Sequence, residues 1–146
     1  MAYDLKTATI DTTIPINGVF FGADSQASAN PSVYNAVNVI GVAQTSKSAD
    51  YTITLADAGT HILHPSTDAS GRTFTIPSNA SVAFPIGTVI TFINAGGTVT
   101  IAINTDTMFL AGAASTTGSR TLDAYGMASA IKIGATAWVI SGSNLS

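Results

Sequence analysis

The sequence predicts an all-β fold: an antiparallel β-sandwich or jelly roll over residues 51–146, preceded by an irregular N-terminal arm over residues 1–50. Three observations predict it. Apolar and polar residues alternate along short runs, which is the period of a half-buried strand. Gly, Pro, Asn, Asp and Ser break those runs every several residues. All eight acidic residues are Asp and none is Glu. Asp suits turns and caps, Glu suits helices, and the intervals are filled by Thr, Val and Ile.

The arm has a different grain. It contains TTIPINGVFFGADSQASANPSVYNAVNVIGVAQTSKS. Asp24, Ser25, Ser28, Asn30 and Pro31 form a turn-rich break between two apolar clusters, Phe20-Phe21 and Val33-Tyr34. Asn30-Pro31 is suited to start a short helix that places Val33, Tyr34, Val37 and Ile40 on one face. A strand at Val33-Tyr34 followed by one helical turn fits the same residues. Gln44 to Asp50 is a polar boundary.

From Tyr51 onward strands are expected at 51–55, 60–63, 73–76, 81–84, 88–94, 98–103, 108–111, 119–122, 126–133 and 137–140. Ile53 and Leu55 share a face, as do Phe74 and Ile76. So do Val99, Ile101 and Ile103, then Ile131 and Ile133, then Trp138 and Ile140. One buried side per sheet is the pattern of a sandwich or jelly roll. A parallel sheet joined by crossover helices is disfavoured, because no stretch has a helical period. No internal repeat is visible, which disfavours a solenoid or propeller.

Composition narrows the function. Charged residues are 9% of the 146, well below the roughly one-quarter of ordinary globular domains. Net charge is −3 and mean hydropathy +0.38. So apolar a chain is expected to bury surface in an oligomer or larger assembly. Cys is absent, which excludes disulfides and thiolate metal sites. Lys6, Lys47, Arg72, Arg120 and Lys132 are scattered, so no basic patch points to nucleic acid. The N-terminus lacks the apolar core of a signal peptide. The longest apolar stretch, Val82 to Ile93, is broken by Pro85 and Gly87 and is too short to span a membrane. Synthesis in a cytoplasm, with no address elsewhere, is the expectation.

No constellation for catalysis emerges. His61 and His64 are the only histidines, with Asp57 and Asp68 nearby. Three apart in a strand, the two rings point to opposite faces, so turn and edge positions explain them better than a metal does. Ser25, Ser115 and Ser119 lack a nucleophile-elbow context. Asp106 and Asp123 would have to meet in space to act as an acid–base pair, and nothing local brings them together. Trp138 reads as core. The chain is therefore expected to be no enzyme and to need no cofactor or metal.

One resemblance sharpens this. The signature TLADAG, then TIPSNASVAFPIGTVITFI, then a Gly turn and TVTIAI, then AIKIGATAWVISG, resembles a module of tailed-bacteriophage virion proteins. It runs from Tyr51 to Gly142. The segment NGVFFGADSQASANPSVYNAVNVIG is similar to a linker found upstream of such modules. The resemblance implies a β-sandwich building block of a virion. With no heptads for a fibre shaft, the chain resembles a stand-alone capsid decoration (cement) protein, and alternatively a small tail or fibre component in host attachment or fibre docking. The implied partners are the major capsid protein and neighbouring copies in a homotrimer, without nucleic acid or membrane. The implied location is the capsid exterior, after synthesis in the host bacterium. Phe20, Phe21, Val33 and Tyr34 are the expected arm contacts, as aromatic and apolar anchors. Packing back on their own domain is the equal alternative.

Overall fold

The computed structural model describes residues 42–113 and 115–146. Contacts divide the chain into residues 1–41 and 42–146. The expected arm contacts Phe20, Phe21, Val33 and Tyr34 lie outside the described residues.

Nine strands form among the described residues: β1 (Gln44–Ser46), β2 (Tyr51–Thr52), β3 (His61–His64), β4 (Arg72–Ile76), β5 (Val89–Asn94), β6 (Val99–Ile103), β7 (Thr107–Leu110), β8 (Arg120–Gly134) and β9 (Ala137–Leu145). A single 3₁₀ turn, Leu55–Asp57, is the only helical element among the described residues.

The strands are not arranged as an antiparallel sandwich or jelly roll. β1, β3 and β5 pair in parallel, and so do β2, β4 and β6. Each successive pair of strands is one coil laid on the last, so the domain is solenoid-like. A parallel pair here needs one circuit of the coil and no crossover helix. The circuits are unequal, which is why no repeat shows in the sequence. On the first face, partners Gln44 and His61 are 17 apart in sequence and His61 and Thr91 are 30 apart. On the second, Tyr51 and Phe74 differ by 23 and Phe74 and Ile101 by 27.

A hairpin closes the stack. β8 runs antiparallel to β5 through Met127–Ile131 and to β6 through Arg120–Leu122. One strand thus lies along both faces and bends at Asp123–Gly126, opposite the corner where β5 turns into β6. The bend places Tyr125 in the left-handed region, at φ 61°. β9 follows β8 antiparallel and bends with it at Asn144, at φ 53°. β7 then pairs in parallel with the start of β9. The strands expected at 119–122 and 126–133 are therefore one bent strand.

The core is the inside of the coils. Ile62, Phe92 and Ala128 are successive partners and all are buried; so are Ile90, Ala130 and Ile140. Phe74 on one face stacks on Phe92 of the other, at 6.5 Å between ring centroids. Trp138 is fully buried, as expected, with Phe84 edge-on at 5.7 Å. Residues 81–84 are not a strand. Ser81 and Val82 both donate main-chain hydrogen bonds to Ser78 O, curling the segment between Pro77 and Pro85.

The first coil is polar at its edge. Thr45 occupies the inward row that Ile62 and Phe92 continue. Tyr51 donates to Asp57 Oδ2 at 2.8 Å, where the Thr54 main-chain N and Oγ1 also converge. Burial, then the bond to Asp57, raises the Tyr51 pKa. Lys47 Nζ caps the other side of the ring at 3.8 Å from its centroid.

Candidate functional site

Three features of the domain carry polar or exposed apolar groups in arrangements worth testing for function.

The first is the corner between the two faces. His64 ends β3 with its side chain fully buried and its ring edge-on to Phe74. His61, three residues earlier, points outward and meets Gln44 at 2.9 Å, so the two rings do face opposite ways. His64 Nδ1 lies 3.0 Å from Asn94 Oδ1 and 3.1 Å from Gly97 O. Its Nε2 lies 3.1 Å from Asp68 Oδ2. Asp68 also accepts from Arg72 Nε at 2.7 Å, Arg72 Nη2 at 3.2 Å and Ser70 N at 3.1 Å. The Arg72 fork, helped by Ser70 and His64, holds the Asp68 carboxyl well below the usual carboxylate range. Asn94 links three levels of the stack: it faces His64 below, accepts from Gly96 N, and donates to Leu122 O of β8 above at 2.9 Å. Gly96 must be glycine, because a Cβ there would strike the Asp68 and Pro65 carbonyl oxygens. His64, Asp68, Arg72 and Asn94 are each hydrogen-bonded to protein, which is the chemistry of a structural joint.

The second feature is the outer surface of the first face. Register aligns three rows across it. Val89, Ile131, Val139 and Phe109 form one row. His61, Thr91, Ser129 and Ser141 form the next, with Gln44 at its end, and Thr91 and Ser129 hydroxyls meet at 3.0 Å. Ser46, Leu63, Ile93, Met127 and Ser143 form the third. None of these residues is Asp, Glu, Lys or Arg. Ile131 is 42% exposed and Ile133, one step further along β8, is 52% exposed. An open depression of about 350 Å³ at Phe109, Leu110, Gly112 and Ala113 adjoins β7. The second face differs: its outer side is a threonine array, Thr73, Thr100 and Thr121 in one row and Thr52 and Thr75 in another.

The third feature is an inversion of the expected pattern in β8. Alternation assigns Ile131 and Ile133 to the core and Lys132 to solvent. The structure reverses this. The two isoleucines point out and Lys132 is 1% exposed, on the inward row with Ala128 and Ala130. Its Nζ meets Asn79 Oδ1 at 2.6 Å and lies 5.8 Å from the Trp138 ring centroid. Asn79 N in turn donates to both oxygens of buried Asp106, at 3.1 and 3.2 Å. At the other end of β8, Arg120 is also buried. Its Nη1 bonds Ser119 O, while Nε and Nη2 find no partner among the described residues.

The sequence-derived candidates resolve as follows. Asp106 sits at the end of β8 near Lys132, since Thr107 lies beside Ala137 and Ala137 beside Gly134. Asp123 is exposed on the bend at the far end of β8, so the two are not brought together. No three His, Cys, Asp or Glu side chains gather into a metal-binding group among the described residues. Sequence reasoning missed Lys132, Asn79 and the exposed apolar rows. The signal available for Lys132 was a lone charge inside an apolar strand run, IKI.

The fold thus defines an all-β, solenoid-like domain closed at one end by a hairpin. No protein-family model matches this chain, and no curated protein matches it.

Proposed function

We propose that the chain is a structural component of a tailed-bacteriophage virion that acts by burying surface in an assembly and not by catalysis. The observation that carries this is the outer surface of the first face: three aligned rows without a charged residue, with Met127, Ile131 and Ile133 exposed. An exposed apolar area of this kind is the mark of a surface that is covered in use. The virion assignment is supported by the sequence resemblance between Tyr51 and Gly142.

Within the virion, the solenoid-like stack favours a tail or fibre position over capsid decoration. Coils add along one axis, and here the hairpin of β8 and β9 stops the addition at one end. At the other, β1 and β2 each have a strand partner on one side only among the described residues. A unit with one closed and one strand-edged end suits the tip of an elongated part.

Cryo-electron microscopy of the virion tests both levels. Density for the stacked coils at the tail supports the proposal. Density at the local threefold axes of the shell replaces the tail position with the decoration role. Absence of the chain from purified virions overturns the virion reading.

A further inference from the structure

Lys132 is a buried amine set against a carboxamide. A buried cation normally sits against a carboxylate, because an unpaired charge away from water is costly. Among the described residues the only ion pair between Lys or Arg and a carboxylate is that of Arg72 with Asp68, and Asp68 also meets His64 Nε2 at 3.1 Å. Among the described residues, therefore, no carboxylate lies within ion-pair distance of Lys132. Its neighbours are the Trp138 ring and a single carboxamide, Asn79. Phe84 packs on the same indole and helps close the site against water. Placing the lysine here also required the alternation of β8 to be inverted, against the pattern that would leave it solvated. Such local violations concentrate where a residue has a role beyond packing.

The geometry suits one reaction. Nζ is 2.6 Å from Asn79 Oδ1. Since a C=O bond is about 1.23 Å, Nζ lies no farther than about 3.8 Å from the carbonyl carbon Cγ. That is close to the separation from which bound reactants proceed. Asp106 grips the Asn79 main chain with both carboxylate oxygens, which fixes the side chain that Lys132 meets. Asn79 itself is only half-buried, which leaves a route outward for a small product.

We propose that Lys132 and Asn79 join in an intramolecular isopeptide bond. The lysine amine, as the free base, attacks Cγ of Asn79. The Nζ–Cγ bond forms, the Cγ–Nδ2 bond breaks, and the proton shed by the attacking nitrogen ends on the departing one. Ammonia leaves, and a secondary amide replaces the primary one. No electron is gained or lost and no co-reactant is consumed; starting from the ammonium form, the product is ammonium ion. Asp106 acts as a positioning residue. The bond ties the segment after β4 to the middle of the sheet, in a chain that has no cysteine to do so.

The test is the mass of the purified full chain under denaturing conditions, followed by a tryptic map. The expected mass is lower than that of the sequence by one ammonia. Trypsin no longer cuts after Lys132, and Asn79 and Lys132 appear in one branched peptide. Asn79→Ala and Lys132→Met return the chain to its sequence mass. Asp106→Ala lowers the linked fraction in protein whose far-ultraviolet circular dichroism is unchanged. Because the wild-type mass alone decides, a variant that fails to fold does not blunt the test. Folded wild-type protein at its sequence mass after prolonged incubation, with the two residues in separate peptides, overturns the proposal. So does loss of ammonia at Asn79 with Lys132 free, which is a succinimide and not a link.

Discussion

The corner around His64 and the site around Lys132 both bury polar atoms inside the same stack of coils. At the corner, His64, Asp68, Arg72 and Asn94 share hydrogen bonds until each has a protein partner, and the bonds run from one coil to the next. At the Lys132 site an amine meets one neutral amide and an aromatic ring. A satisfied cluster spends its polarity on position, and its removal is felt in stability. An under-satisfied one retains chemical potential, and its removal is felt in a covalent product. The difference is read from partner counts, since His64, Asn94 and Lys132 are all almost fully buried.

Breaking the Lys132 side of this comparison has the largest expected effect. A link closing the stretch between Asn79 and Lys132, 53 residues apart, contributes about 4 kcal/mol by the chain-entropy reasoning used for disulfides. Asn79→Ala and Lys132→Met are each expected to lose most of that in a urea titration. The double variant should be little worse than either single one, because both remove the same bond. Additive losses would mean that the residues act separately.

At the corner, Asn94→Ala removes the side-chain partner of Leu122 O and Gly96 N and leaves His64 Nδ1 with Gly97 O alone. A loss of about 3 kcal/mol is expected, at roughly 1–3 kcal/mol for each buried group left unpaired. The same titration measures it, and a loss under 1 kcal/mol would demote Asn94 from its role as the tie between levels.

Asp68 sharpens the comparison through pH. Its carboxyl titrates below its unfolded value, chiefly because of the Arg72 hydrogen bonds. Its stabilisation is therefore fully present above about pH 4, the range of an unfolded Asp, and is lost as pH falls through the folded value. Urea midpoints measured from pH 7 to pH 3 should fall on the acid side. Asp68→Asn should flatten that fall while lowering the midpoint at pH 7.

The smallest effect on folding is expected on the outer surface. Ile131→Asp and Ile133→Asp should change stability by within about 0.5 kcal/mol, because both side chains already face solvent. Their incorporation into virions, measured by quantitative mass spectrometry of purified particles, should fall sharply. Normal incorporation would move the contact surface elsewhere, with the threonine array of the second face as the next place to look.

Much of the strand content was legible in sequence. β4, β5 and β6 fall where alternation between turns places them, and Trp138 and Ile140 are inward as the pattern requires. The connectivity was not legible. Alternation reports which side of a strand is buried and says nothing of which strand lies beside it, and circuits of 17 to 30 residues leave no period to detect. β1 escaped because Gln44, Thr45 and Ser46 carry no apolar residue; its register comes from β3. Inferring burial from hydropathy assigns the shared face of Ile131 and Ile133 inward. That inference fails where a lysine is held inside by Asn79 and a surface is left apolar outside. The three errors share a cause: each concerns a partner, and a partner is not a property of the segment itself.

The bent course of β8 has a consequence for how the domain opens. Stacked coils that touch only their neighbours unravel one at a time, with exchange protection graded along the axis. Here a single strand is bonded to β5 on one face and β6 on the other, so neither face is released without the other. Hydrogen exchange should therefore divide the molecule in two: graded rates through β1 to β4, and one shared, slow rate for the β5, β6 and β8 amides that act as a cooperative block.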